Sequence, residues 1–271
     1  MVAAPVAHAK MSSFLYKKLD ILKTKPYYCH MKASDIVTSR INKLPTGYVF
    51  TYTDISGDIE RKEAVIKALN RMAQSGKITK LAKGKYYKPE RTLFGNLVPD
   101  EAQVVKDLLE DNGKITGYPT GASIYNRLGL STQVSNTIEI GKNEVRPAFR
   151  RERYTISFVR QKNTITKENI PFLQILDAVK NIKKIPDATL ESSLRRLLAI
   201  LRDLSETDHI KMIRLAAKYP PATRALLGAL LEDLGKEGVT TPLRKTLNPI
   251  TSYTFTGIGS VVSSAKNWNI K

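Results

Sequence analysis

A single cysteine, Cys29, leaves no partner for an internal disulfide and no CxxC pair to clamp a metal. That usage fits a reducing compartment, and a cytoplasmic location is the expectation. Three histidines, His8, His30 and His209, are too scattered to build a zinc site by spacing. No apolar run approaches the roughly 20 residues of a membrane-spanning helix, so no membrane partner is expected. The opening stretch MVAAPVAHAKMSS is small and Ala-rich, but His8 and Lys10 interrupt it and make it a poor secretory signal. Residues 1–13 read as a disordered leader or an added remnant, with Met11 as an alternative start. Catalytic motifs are missing as well: there is no HExxH, no P-loop and no GxSxG. Pro99-Asp100 and Pro186-Asp187 offer the first element of a metal-dependent PD-(D/E)xK nuclease, yet no (D/E)xK follows either one. No catalytic residue, metal or cofactor is assigned.

Acidic residues are also scarce. The chain holds 44 Lys and Arg against 25 Asp and Glu, a net charge of +19 at pH 7. The excess is concentrated near the N-terminus: residues 11–91 hold 17 cations and 7 anions, whereas residues 92–170 hold 11 and 9. A basic module of that size is the electrostatic footprint of a polyanion binder, most often nucleic acid.

The pattern within the basic region is specific. From Lys32, Ile36, Val37, Ile41 and Leu44 recur with helical spacing until Pro45 and Gly47. Tyr48, Val49 and Phe50 predict a short strand, and Thr51 or Thr53 can cap a brief helix ending near Gly57. A second helix is predicted over Arg61 to Ser75, with Val65, Ala68, Leu69 and Met72 on one face and Lys67 and Asn70 on the other. Then comes GKITKLAKGKYYKPE, where Lys83-Gly84 sits between two β-prone runs and predicts a tight hairpin. Helix, strand, short helix, long helix and basic hairpin is the order of a winged helix-turn-helix, whose third helix enters the major groove while the wing lies along the backbone or minor groove.

Candidate DNA contacts follow from that order. Thr51, Tyr52 and Thr53, at a helix N-terminus, can present hydroxyl and N–H groups to a phosphate. Lys62, Lys67, Asn70 and Arg71 lie on the long helix, with Asn70 as the base-reading candidate. Lys80, Lys83 and Lys85 of the hairpin would neutralise phosphates, and Tyr86 and Tyr87 would alternate between packing and contact. The prolines, Gly and Asn of KPERTLFGNLVPDE mark a linker before a helix beginning near Glu101.

Beyond residue 92 the chain changes character. IYNRLGLSTQVSN has the outline of a second helix-turn-helix, but Arg127 is its only cation, and a helix leading into a strand at Thr137 to Ile140 fits better. Tyr154 to Val159 predicts a strand among Arg146, Arg150, Arg151, Arg153 and Arg160. Those arginines suit an anionic partner, an acidic protein or an RNA strand, and equally a charge-guarded strand edge. From Pro171 apolar stripes predict helices, including one opened by SETD at Ser205 to Asp208 and one over YPPATRALLGALLEDLG ended by Gly235. The fold class expected is α+β: a winged helix over 14–92, a mixed α/β segment over 93–170, a helical bundle over 171–235 and a packed tail over 236–271.

The order of that basic module, then GASIYNRLGLSTQVSNTIEI, YPPATRALLGALLEDLG and LNPITSY, resembles the AbiE-type antitoxin family of bacterial type IV toxin-antitoxin systems. The similarity runs from roughly Lys32 to the end, and its most specific pieces are Leu128 to Val134 and Tyr219 to Glu232. Ser131 stands where family members often carry Thr, which keeps the hydroxyl. The resemblance implies that the N-terminal module represses its own promoter, binding double-stranded DNA at inverted repeats. It also implies that residues 93–271 oppose a nucleotidyltransferase-like toxin, a functional counterpart that need not be bound directly. The alternatives are a DNA-binding regulator without an antitoxin role and a nucleic-acid-processing enzyme.

Overall fold

The computed structural model describes residues 32–271 apart from 58, 60, 61, 94 and 112. The leader expected over residues 1–13, together with Cys29 and His30, lies outside the described residues. The chain divides into two compact units, the first ending at Pro99 and the second running from Asp100 to Lys271. The architecture is α+β with small sheets.

In the first unit, α1 (Ala33–Asn42) is followed by β1 (Val49–Thr51), α2 (Tyr52–Ser56), α3 (Lys62–Gln74), β2 (Thr79–Ala82) and β3 (Lys85–Tyr87). The three strands form one antiparallel sheet in the order β1-β3-β2, so the last strand of the hairpin is central. Val37, Ile41, Phe50, Ile55, Val65, Leu69 and Ile78 fill a common core between helices and sheet. Side chains close the helix ends. Arg40 donates to the carbonyls of Ile55 and Ser56 at the end of α2, and Lys88 donates to those of Asn42 and Leu44 at the end of α1. The stretch read as a linker holds a second hairpin, β4 (Glu90–Thr92) and β5 (Gly95–Leu97), and Arg91 ties it to the Gly76 carbonyl.

The second unit opens with α4 (Glu101–Leu109), whose N-cap Asp100 accepts from the Gln103 N–H. Two-residue strands β6 (Glu110–Asp111) and β7 (Lys114–Ile115) precede β8 (Gly117–Thr120), α5 (Ala122–Arg127), β9 (Thr137–Lys142), β10 (Phe149–Arg151) and β11 (Tyr154–Arg160). The four longer strands form a sheet in the order β10-β11-β9-β8, in which β9 and β11 are parallel. No helix follows α5 before β9. The Ser131 hydroxyl donates to the Pro186 carbonyl and accepts from the Gln133 N–H. The five arginines divide: Arg151 is buried and paired with Asp107 at 2.7 Å, Arg146 lies over the rings of Phe149 and Phe158, and Arg153 lies over Tyr154. Only Arg150 and Arg160 fit the solvated-edge description without qualification.

Helices α6 (Ile170–Lys180), α7 (Leu190–Arg202), α8 (Glu206–Ala216), α9 (Pro221–Asp233) and α10 (Glu237–Arg244) complete the unit. Ser205 and Asp208 form the reciprocal capping box at the start of α8. Apolar on nearly every side, α9 buries Ala225 through Leu231 and is the central helix. Asp177 interrupts the apolar run of α6, and its carboxylate accepts from Tyr118, Thr120 and Tyr219 at 2.7, 2.9 and 2.8 Å. Gln161 donates to both tyrosine hydroxyls. Burial pushes the hydroxyls of Tyr118 and Tyr219 far above the ordinary tyrosine range, so each keeps the proton it gives to Asp177. This network ties α6 to one face of the sheet, while Arg151 ties α4 to the other. Among the described residues no helix is long and apolar enough to cross a membrane.

Candidate nucleic-acid interface

The amphipathic period of α3 fixes which residues face outward. Val65, Ala68, Leu69 and Met72 are buried, so Lys62, Glu63, Ile66, Lys67, Asn70, Arg71 and Gln74 are left exposed on the rest of the surface. Gly76, at φ 69°, ends the helix and turns the chain directly into β2. The hairpin turns at Lys83-Gly84, where Gly84 has φ 73° and nothing within 4 Å of where a Cβ would stand. Lys80 and Lys83 are exposed, and Lys85 is partly covered.

Two of the sequence expectations change in the structure. Tyr86 and Tyr87 do not alternate between packing and contact, since each is only 5% exposed. Strand β3 is flanked on both edges, and the Tyr86 ring stacks on Phe50 with centroids 6.3 Å apart. The Tyr86 hydroxyl reaches the exposed face of α3 and donates to Asn70 Oδ1 at 3.0 Å. The candidate base-reading residue is therefore anchored by the sheet, a link that separates the two residues by sixteen positions and leaves no periodic trace in the sequence.

The second change concerns the start of α2. The Thr51 hydroxyl and N–H both donate to Asp54 Oδ2, at 2.9 and 2.7 Å, and the hydroxyls of Thr51 and Thr53 lie 2.6 Å apart. The Asp54 carboxylate thus takes two of the donors at the start of α2 and adds negative charge there, which disfavours a second anion. Thr51 is the N-cap of α2 and shares a capping box with Asp54, and the Thr53 hydroxyl packs against the Thr51 hydroxyl. Tyr52 has a different partner: the Lys62 Nζ lies 4.6 Å from its ring centroid. The first unit thus exposes Lys62, Lys67, Asn70 and Arg71 on α3 and Lys80 and Lys83 on the hairpin, while the Thr51 and Thr53 hydroxyls already have partners at the start of α2. Ile66, which sequence reasoning passed over, is 36% exposed between Lys62 and Asn70. Its signal was legible, because one residue after Val65 it stands about 100° off the apolar face.

Among the described residues no group of three His, Cys, Asp or Glu side chains could hold a metal ion. A groove of about 350 Å³ lined by Thr38, Met72, Lys77 and Arg91 among others runs along α1, apart from the outward residues of α3.

In comparison with known proteins, the profile of a family of unknown function, DUF6088, matches residues 36–210. No match is found among curated proteins. The crystal structure of the Rv2827c protein from Mycobacterium tuberculosis is similar at 16% identity, with a TM-score of 0.57 over 83% of this chain and 85% of that chain. At that identity the likeness is one of fold.

Proposed function

The chain belongs to DUF6088, a family of unknown function, and on its own residues we propose that it is a double-stranded DNA-binding transcriptional repressor with a winged-helix module in its first unit. One observation carries the reading. Helix α3 and the hairpin β2–β3 are joined at Gly76 and expose cations together, with the sheet order β1-β3-β2 holding them in place. In a winged helix that places α3 in the major groove and the hairpin as the wing. Lys62, Lys67, Arg71, Lys80 and Lys83 then serve as phosphate contacts, and Asn70 as a base contact. The cations that close helix ends, Arg40 and Lys88, are not available to DNA, and the exposed set supplies the binding charge. By its resemblance to AbiE-type antitoxins, the second unit would counteract a nucleotidyltransferase-like toxin, while the first represses the shared promoter.

The test is titration of the full chain with duplexes from its own upstream region at several salt concentrations. With about five phosphates neutralised, log K should fall against log[salt] with a slope of roughly −4 to −5. Replacing Lys80 and Lys83 by Ala should weaken binding to all sequences alike and flatten the slope by about 1 to 2 units. A slope near zero for the intact chain would remove the DNA-binding reading.

A further inference from the structure

Resting on the DNA-binding reading above, we infer that α3 reads a thymine in the major groove through Ile66 and Asn70, and that Tyr86 is the positioning residue that selects this base. Three observations combine. First, the Asn70 amide is not free to turn. Its Oδ1 accepts the proton of the Tyr86 hydroxyl at 3.0 Å, and Tyr86 is buried and stacked on Phe50 in the central strand. With the oxygen edge turned to the sheet, the amide presents its Nδ2 edge outward, and Nδ2 only donates. The paired accept-and-donate contact that an unconstrained Asn makes to adenine needs both edges of the amide.

Second, the neighbour of Asn70 one turn back is an exposed isoleucine. Side chains four apart on a helix lie about 5–6 Å from each other at Cβ, so Ile66 and Asn70 present an apolar group and a donor side by side. Third, that pair of groups matches one base edge. Thymine alone shows the major groove an acceptor, O4, next to an apolar group, the C5 methyl. Guanine offers two acceptors and no methyl, cytosine a donor, and adenine an acceptor beside a donor. Lys67 and Arg71, on the same exposed surface, hold the backbone and carry no base information.

The experiment begins by selecting bound duplexes from a randomised pool with the full chain. The selected sequence is then remade with deoxyuridine at the fixed thymine, which deletes only the methyl. The intact protein should bind the deoxyuridine duplex about fourfold more weakly, the size expected for one buried methyl group. Ile66→Ala should bind the thymine duplex more weakly and show no difference between the two. Tyr86→Phe keeps the ring on Phe50 and removes only the hydroxyl. It should lose roughly tenfold in preference for the T·A pair over other pairs at that position, with random-DNA affinity and salt slope unchanged. Circular dichroism of both variants should match the parent, since one site is exposed and the other substitution is nearly isosteric. The inference is overturned if the pool returns fixed bases but no thymine, if Ile66→Ala keeps the thymine-over-deoxyuridine ratio, or if Tyr86→Phe keeps the full preference. Those outcomes leave sequence-specific DNA binding standing, whereas failure to bind any duplex at low salt removes that reading and this one together.

Discussion

Trp268→Ala is expected to destabilise the second unit by about 3–5 kcal/mol, measured as a loss of unfolding free energy in urea. Trp268 is 2% exposed, and its indole N–H donates to Glu232 at 2.8 Å. Arg244 stacks over the ring and pairs with the same carboxylate. The ring fits because residue 228 on the central helix α9 is glycine, and any Cβ there would stand inside the indole. A double-mutant cycle makes this fit testable. Gly228→Ala in the parent forces a clash and should cost several kcal/mol, whereas in the Trp268→Ala background the ring is gone. There Ala should gain about 0.5–1 kcal/mol over Gly from its helix propensity. A change of sign between backgrounds is the expected result, and additive effects would mean that the tail does not pack on α9 as described.

That packing explains which parts of the fold could be read in advance. Where structure follows from local period or capping chemistry, the sequence was legible. The apolar face of α3, the strand at Val49, the Lys83-Gly84 turn, the Ser205/Asp208 box and the Gly235 stop are all written within a few residues of themselves. Helix α10 was hidden in the tail because Thr240, Thr241 and Pro242 lower local propensity, and its stability comes from burying Thr240 and Leu243. The Asp177 network was hidden for another reason. Its donors come from residues 118, 120 and 219, and only the sheet and helices together bring them to one carboxylate. A single Asp within the apolar run of α6 was the available signal, because a buried carboxylate requires donors.

The candidate interface divides along the same line. Exposed cations on α3 and the hairpin could be assigned from period and charge, since solvated residues answer only to the orientation of their own element. The surroundings of Thr51 and Asn70 could not, because each side chain bonds to a specific partner. Asp54 lies three residues from Thr51 and offered a capping pattern that competes with phosphate binding. Tyr86 meets Asn70 only through the packing of helix on sheet.

Cutting the chain between Pro99 and Asp100 is expected to separate its two proposed activities completely. Each unit has a core built from its own residues: Val37, Ile41, Phe50, Val65 and Leu69 in the first, and Leu173, Leu176, Leu194, Leu226 and Leu230 in the second. The position of the cut matters. Ending the first fragment at Thr92 would remove β5 from its pairing with β4, and beginning the second after Asp100 would remove the N-cap of α4, at a cost of about 1 kcal/mol. Residues 1–99 should therefore bind the same duplexes as the full chain, with the same salt slope, and fail to protect cells that express the proposed nucleotidyltransferase-like toxin. Residues 100–271 should unfold cooperatively, bind no operator and protect those cells. Co-expression growth assays, run beside a promoter-reporter assay, read both activities at once. Protection by the full chain alone, with fragment 100–271 folded by circular dichroism, would mean that toxin control works through DNA binding and that the activities cannot be divided. Protection by neither the fragment nor the full chain would leave a repressor without an antitoxin role, because DNA binding by residues 1–99 does not depend on that outcome.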